Sequence, residues 1–222
     1  GTVASFTTSI ISIALTILLI IITVSALGIN TTSLAALLAA GGVSIGMAAS
    51  GTVQNFAGGI MILAFKPFKA GDFISAQGYS GYVKSVSIAS TKLVTLDNRE
   101  VIIPNGALSN GNIDNYSANP FRRVDINVNV GYGTDADNCI EVIKSIAAQD
   151  PRILDSSTQG AADLFVGLSS LNASDITFTV RAWTRSEDYW GVYFDLNKAL
   201  YTQLPQNGIS FAYPHVTIDK LS

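Results

Sequence analysis

Apolar positions are unevenly spread along the chain. From Val3 to Leu27 they run almost without interruption and are densest around Ile10–Ile22, the pattern of a helix hydrophobic on all sides. At about 1.5 Å per residue this stretch makes a helix of roughly 37 Å, enough to cross a hydrocarbon core near 30 Å. Its Ser and Thr side chains can bond back to carbonyls of their own helix, so they do not bar burial in lipid. Gly28 to Ser33 reads as a tight polar turn, with Thr32 or Ser33 as N-cap of the next helix. A second apolar segment, Leu34 to Phe65, would measure roughly 48 Å as one straight helix, too long for a bilayer without heavy tilt. The pattern therefore predicts a kink or break near 50–52, where Ser50-Gly51-Thr52 combines a weak helix former with a Gly/Ser pair. Beyond it, Val53, Phe56, Ile60 and Leu63 recur at i, i+3, i+7 and i+10, interrupted by Gln54 and Asn55. That amphipathic half suits an interface rather than a bilayer crossing.

From Lys66 the period changes. Asp72–Ala76, Gly81–Ile88, Lys92–Leu96 and Glu100–Ile103 read as short strands, and Pro104-Asn105-Gly106 closes a small all-β unit. After Asn119-Pro120 the pattern is a strand at Arg123–Val130, a helix at Asp135–Ala148, strands at Asp163–Leu168 and Ile176–Trp183, a helix at Val192–Leu204 and a last strand at His215–Ile218. The order β-α-β-β-α-β fits a two-layer α+β domain. The expected division is residues 1–29 and 30–65 in the membrane, 66–120 a β domain and 121–222 an α+β domain.

Charge sharpens this division. All 13 Lys/Arg and 16 Asp/Glu lie at Lys66 or beyond, so the first 65 residues carry no charged side chain. The net charge of −3 offers no basic stripe of the kind a nucleic-acid partner needs. A signal peptide is a poor match, because there is no basic n-region, the apolar run exceeds the usual 7–15 residues, and a second one follows. The chain opens on Gly1 rather than Met and reads as a fragment with sequence upstream.

On a helical wheel of about 100° per residue, Ala36, Ala39, Ala40, Val43, Gly46, Met47 and Ser50 share one face. Leu34, Leu38 and Ile45 fall opposite. Gly42 and Gly46 form a small-xxx-small spacing that lets helices approach backbone to backbone. Small residues continue over nearly five turns, which suits packing against copies of the same helix around an axis. Val43 and Met47, one turn apart, would then be the bulky groups facing that axis, two apolar rings able to block ions by dewetting.

The small-residue helix, Gln54-Asn55-Phe56-Ala57-Gly58-Gly59, and Phe65-Lys66-Pro67-Phe68-Lys69-Ala70-Gly71-Asp72 resemble the small-conductance mechanosensitive (MscS-type) channels. So do Val101-Ile102-Ile103-Pro104-Asn105-Gly106, Asn112-x-x-Asn115-Tyr116-Ser117 and Ile209-Ser210-Phe211-x-Tyr213-Pro214. The resemblance implies a membrane α-helical pore hairpin with a kinked second helix, a small Sm/SH3-like β domain, then a ferredoxin-like α+β domain ending in a short strand. It implies a homoheptamer in a bacterial-type inner membrane, with residues 28–33 extracytoplasmic and both later domains in a cytoplasmic vestibule. It further implies opening by membrane tension and release of ions and small osmolytes on hypo-osmotic shock. Val43 and Met47 stand where the family has its two apolar pore rings, usually leucines. Ala36, Ala39, Ala40, Gly42 and Gly46 stand at pore-helix packing positions, Ser50 and Gly51 at the kink, and Asn55 and Gly59 where the distal half-helix meets the β domain. Lys66 and Lys69 suit a cytoplasmic flank.

Other readings are a membrane-anchored ligand-binding protein and a membrane-bound enzyme. An anchor would tolerate bulky or polar residues at Val43, Gly46 and Met47; an enzyme needs a catalytic constellation that the residues do not supply. Gly131-Tyr132-Gly133-Thr134-Asp135-Ala136 matches a dinucleotide fingerprint, but Asp135 and Asp137 place negative charge where a pyrophosphate would sit. His215 is a lone histidine, read as a packing or subunit-contact residue, and Cys139 reads as a small core residue. Arg122 and Arg123 read as surface charge, and Trp183 and Trp190 as core. No cofactor or metal is expected.

Overall fold

The computed structural model describes residues 2–214. The strand expected at His215–Ile218 lies outside the described residues. Helix α1 spans Thr2–Ala26, and its hydroxyls behave as an apolar environment demands: Thr16 Oγ1 donates to the Ser12 carbonyl at 2.7 Å and Thr23 Oγ1 to the Leu19 carbonyl at 2.8 Å. The helix stops at Gly28, whose φ of +80° is left-handed, the usual glycine exit. The next helix is capped differently from expectation. Thr32 and Ser33 both lie inside α2, Thr31 at the N-cap position makes no side-chain cap bond, and Asn30 Oδ1 accepts from the Thr32 amide at 2.9 Å. An asparagine two residues upstream reaches this amide through an Asx turn.

Helix α2 runs from Thr32 to Phe65 with no non-helical residue at 50–52, so the expected break is not an interruption of the helix. A helix can bend without losing its hydrogen-bond ladder, and weak propensity alone does not open one. Lys66 ends α2 in the left-handed region (φ 48°), its amide donating to the Ile62 carbonyl at 2.8 Å, and Pro67 follows.

The chain divides into two compact units. One holds both helices and Ala76–Ile113; the other holds Asp72–Ser75 and the chain from Asp114 onward. The chain therefore passes between these units at 71/72, 75/76 and 113/114. Asp72 and Phe73, at the start of strand β1 (Phe73–Ala76), are bonded to residues 115–117 of the second unit.

In the first unit β2 (Tyr79–Val86), β3 (Ser90–Val94) and β4 (Glu100–Pro104) pair antiparallel, with Val83 opposite Leu93 and Thr91 opposite Ile103. Val83, Leu93 and Ile103 point to a common buried face. Where Pro104-Asn105-Gly106 closes the β unit, Pro104 introduces a short helix, α3 (Asn105–Ser109), with Leu108 fully buried. The proline presets the first turn and has no amide hydrogen to leave unpaired.

The second unit contains β5 (Ile113–Asn115) from Asp114 onward, β6 (Phe121–Val130), α4 (Ala136–Ala147), β7 (Phe165–Leu171), β8 (Ile176–Arg185), a 3-10 turn at Ser186–Asp188 and α5 (Tyr189–Gln206). Strands β6, β8 and β7 lie in that order, all antiparallel. The strict alternation of β6 sends Val124, Ile126, Val128 and Val130 inward to meet Cys139 and Ile143 of α4 and Val192, Leu196, Leu200 and Leu204 of α5. Phe178 fills the centre at 0% exposure. Burial pushes the Cys139 thiol up to about 11, so it packs as a small apolar group rather than a nucleophile. Asp135 accepts from the Asp137 and Asn138 amides and caps α4, and the sheet is antiparallel, so the Gly131–Ala136 stretch is not a dinucleotide loop.

Two readings of the sequence need correction. Trp190 is 56% exposed and not core, because it lies on the outer face of α5. Arg122 is not loose surface charge: its guanidinium lies over the rings of Tyr189 (3.7 Å) and Tyr116 (4.8 Å). Arg123 does lie at the surface, in a two-bond pair with Asp125.

Candidate functional site: an exposed helix half and its β-domain anchor

The first half of α2 is exposed along its whole length in the single chain, Val43 at 63% and Met47 at 72%. Ala36, Ala39 and Ala40 are exposed, and a Cβ added at Gly41, Gly42, Gly46 or Gly51 would meet nothing within 4 Å. Among the described residues α1 does not pack extensively along α2, and the large apolar face stays exposed in the single chain. Ser44 Oγ turns back to the Ala40 carbonyl at 3.0 Å, which removes the one hydroxyl in the middle of this half from competition for water. Five small positions, Ala36, Ala39, Ala40, Gly46 and Ser50, thus share a face with Val43 and Met47, and all of them are exposed in the single chain.

The second half is built the other way. Gly58, Gly59 and Ile62 are buried against α3. A Cβ on Gly58 would sit 2.6 Å from the Asn105 carbonyl oxygen, and one on Gly59 would collide with the Ile88 carbonyl oxygen and lie 2.7 Å from Asn105 Nδ2. These glycines let two backbones meet.

Asn105 is fully buried at the centre of the contact. Its Oδ1 accepts from Thr91 Oγ1 at 2.8 Å, its Nδ2 donates to the Ser87 carbonyl at 2.8 Å, and its backbone amide donates to the Ala89 carbonyl at 3.0 Å. From the helix side Asn55 Oδ1 accepts from the Gly106 amide at 3.0 Å. Gln77 Nε2 holds the Ala107 carbonyl at 2.8 Å, so the first turn of α3 is pinned from three segments. Removing one member of such a network leaves a buried group unpaired, which costs about 1–3 kcal/mol.

Charge stays outside this anchor. Glu100 bridges Lys84 (2.7 Å) and Lys92 (3.0 Å), which hold its carboxyl below the usual glutamate range. Among the described residues no group of three or more His, Cys, Asp or Glu is placed to hold a metal.

Of the expected site residues, Asn55 and Gly59 are brought into one contact. Ala36, Ala39, Ala40, Gly42, Val43, Gly46, Met47, Ser50 and Gly51 are placed along α2, all exposed in the single chain. Gly58, Thr91, Asn105 and Gly106 complete the anchor and were not singled out by sequence. The adjacent pair Gly58-Gly59 was a usable signal, since two glycines inside a helix cost about 2 kcal/mol and need a close approach to justify them.

The profile described as "Mechanosensitive ion channel, beta-domain" matches residues 51–118, and that described as "Mechanosensitive ion channel MscS, C-terminal" matches residues 124–211. An MscS family protein of Buchnera aphidicola subsp. Schizaphis graminum (strain Sg) is 32% identical over 98% of this chain and 75% of its own length. The small-conductance mechanosensitive channel of Edwardsiella ictaluri (strain 93-146) is 37% identical over 81% of this chain and 61% of its own. The crystal structure of Helicobacter pylori MscS in its closed state superposes with a TM-score of 0.84 at 29% identity, covering 98% of this chain and 85% of that one.

Proposed function

Because the chain belongs to the MscS family of mechanosensitive ion channels, we propose that α2 lines a tension-gated pore formed by copies of this chain, with Val43 and Met47 as its constriction. The family is one of membrane channels, and the chain is not an enzyme. One observation carries the pore reading: the first half of α2 is apolar, small and exposed in the single chain, while the second half is fastened to the β domain. Apolar surface and bare glycine backbone call for other copies and lipid around them.

In this reading residues 1–29 and 30–65 span the membrane, and residues 66–120 and 121–222 lie on the cytoplasmic side of a bacterial-type inner membrane. Lys66 and Lys69 mark that side under the positive-inside rule. Seven copies surround the axis, the number that the family resemblance implies. Tension acts as a ligand would, stabilising the wider of two pre-existing states. Opening moves Val43 and Met47 off the axis, wets the constriction, and passes ions and small osmolytes on hypo-osmotic shock. Asn55 and Gly59 couple that movement to the β domain, and Ser50-Gly51 is where the helix bends.

Patch recordings under graded suction test the constriction. Val43→Ser and Met47→Ser hydrate it and lower the opening threshold; unchanged thresholds in both remove Val43 and Met47 from the gate. Gly51→Ala raises helix propensity by up to about 1 kcal/mol and alters closing kinetics, and closing indistinguishable from the unsubstituted channel rules out a bend at this glycine.

A further inference from the structure

Residues 115–122 form a strap stitched at both ends, all within the second unit. At one end Asn115 Nδ2 donates to Asp72 Oδ2 (3.0 Å), the Tyr116 amide donates to the Phe73 carbonyl (3.0 Å), and the Phe73 amide donates to Ser117 Oγ (2.9 Å). The Tyr116 ring leans on Phe73 with centroids 5.9 Å apart. At the other end Ser186 donates its amide to the Pro120 carbonyl (2.9 Å) and its hydroxyl to the Asn119 carbonyl (2.7 Å), just before α5 begins.

Arg122 ties the two ends together. Its planar guanidinium lies between the Tyr116 and Tyr189 rings, 4.8 and 3.7 Å from their centroids. Tyr189 is the first residue of α5 and packs edge-on against Trp190 at 5.1 Å. An arginine can stack on two aromatic faces at once, which a lysine ammonium cannot reproduce. The line Phe73–Tyr116–Arg122–Tyr189 is therefore continuous from the start of α5 to the strand that begins eight residues after the end of α2.

We propose that this strap is a transmission element, and that Arg122 is a positioning residue through which the α+β domain sets how long the channel stays open. The argument is one of connectivity. Asp72–Ser75 group with the second unit, which holds the α+β domain, yet the chain joins them to α2 through the six residues 66–71. A rearrangement at the start of α5 then pulls directly on the exit of α2. Tension acts on the membrane segments, so loss of the clamp shifts the persistence of states rather than the threshold for leaving one. This inference rests on the tension-gated reading above.

The full-length channel in liposome patches tests it, paired with amide hydrogen exchange on the same preparations. Arg122→Ala and Tyr189→Leu each speed exchange at the Phe73 and Tyr116 amides. Each also changes the closing rate under sustained tension about fivefold, the size expected of one partly desolvated cation–π contact. The double variant shows no more than either single change, Tyr189→Phe matches the unsubstituted channel, and Arg122→Lys restores only part of the effect. Opening tension stays constant throughout. Tyr189→Leu and Arg122→Lys keep the test alive if Arg122→Ala does not assemble. Faster exchange with unaltered closing overturns the inference, as do unaltered exchange or additive effects in the double variant. Silence of the unsubstituted channel under tension is seen before any variant is compared; it sinks the channel reading and this inference with it.

Discussion

The two halves of α2 use glycine for opposite reasons. In the distal half Gly58 and Gly59 lie where a side chain would strike the Asn105 and Ile88 carbonyls, so their requirement is met inside one chain. In the proximal half Gly41, Gly42, Gly46 and Gly51 face open space, and a lone chain would be more helical with alanine there. One helix thus carries one set of constraints legible in a single subunit and another that only neighbouring copies and lipid can explain. In the proposed gating the division also separates labour, because a fastened distal half gives the proximal half something to move against.

The largest effect tests the fastened half. Gly59→Ala gains up to about 1 kcal/mol of helix propensity and forces a Cβ into the Ile88 carbonyl, where overpacking costs about 1–3 kcal/mol and neither backbone can retreat freely. The expected net result is a loss of about 2 kcal/mol, read as a lowered thermal unfolding midpoint of the detergent-solubilised protein. A midpoint equal to or above that of the unsubstituted chain would falsify the close-approach account of the distal half.

That anchor also marks the limit of sequence reading. Period-2 alternation in Val124, Ile126, Val128 and Val130 located β6 and its inward face, because each residue's fate depends on its immediate neighbours. Asn55 and Gly59 were placed through family resemblance rather than by any periodicity. Helix α3 was not foreseen: five residues are too few for a helical period, and its partners Asn55, Gln77 and Thr91 lie 14 to 51 positions away. Arg122 was missed for the same reason, since Tyr189 is remote in sequence and a pair of arginines reads locally as surface charge. The break expected at Ser50-Gly51 came from propensity and bilayer thickness, neither of which can tell a bent ladder from an opened one.

The intermediate effect tests the open half, and its sign is informative. For an isolated helix Gly42→Ala is stabilising by about 0.8–1 kcal/mol. Where another copy's backbone approaches Gly42, the added methyl separates the helices, and assembly weakens although each helix is better formed. The expected outcome is a reduced oligomer fraction on size-exclusion chromatography together with a shifted suction threshold. A more stable oligomer with the original threshold would remove Gly42 from the subunit contact and confine the small-residue face to lipid.

The smallest effect concerns whether the anchor depends on charge at all. Glu100 is held below the usual glutamate range first by the Lys84 hydrogen bond and then by Lys92, and all three side chains are well exposed. With the folded-state value depressed, the cluster contributes stability above the ordinary glutamate range and loses it as pH falls through the lower folded value. Exposed pairs of this kind are weak and screened by salt. Glu100→Gln should therefore barely move the unfolding midpoint at neutral pH, and the two proteins should converge as acid protonates Glu100. The Asn55–Gly106 contact, made of neutral groups around a buried asparagine, should be indifferent to the same changes in pH and salt. If the substitution loosened amide exchange at Gly106 at neutral pH, the distal half would be fastened partly by surface charge, and its contrast with the proximal half would no longer be one of close backbone packing alone.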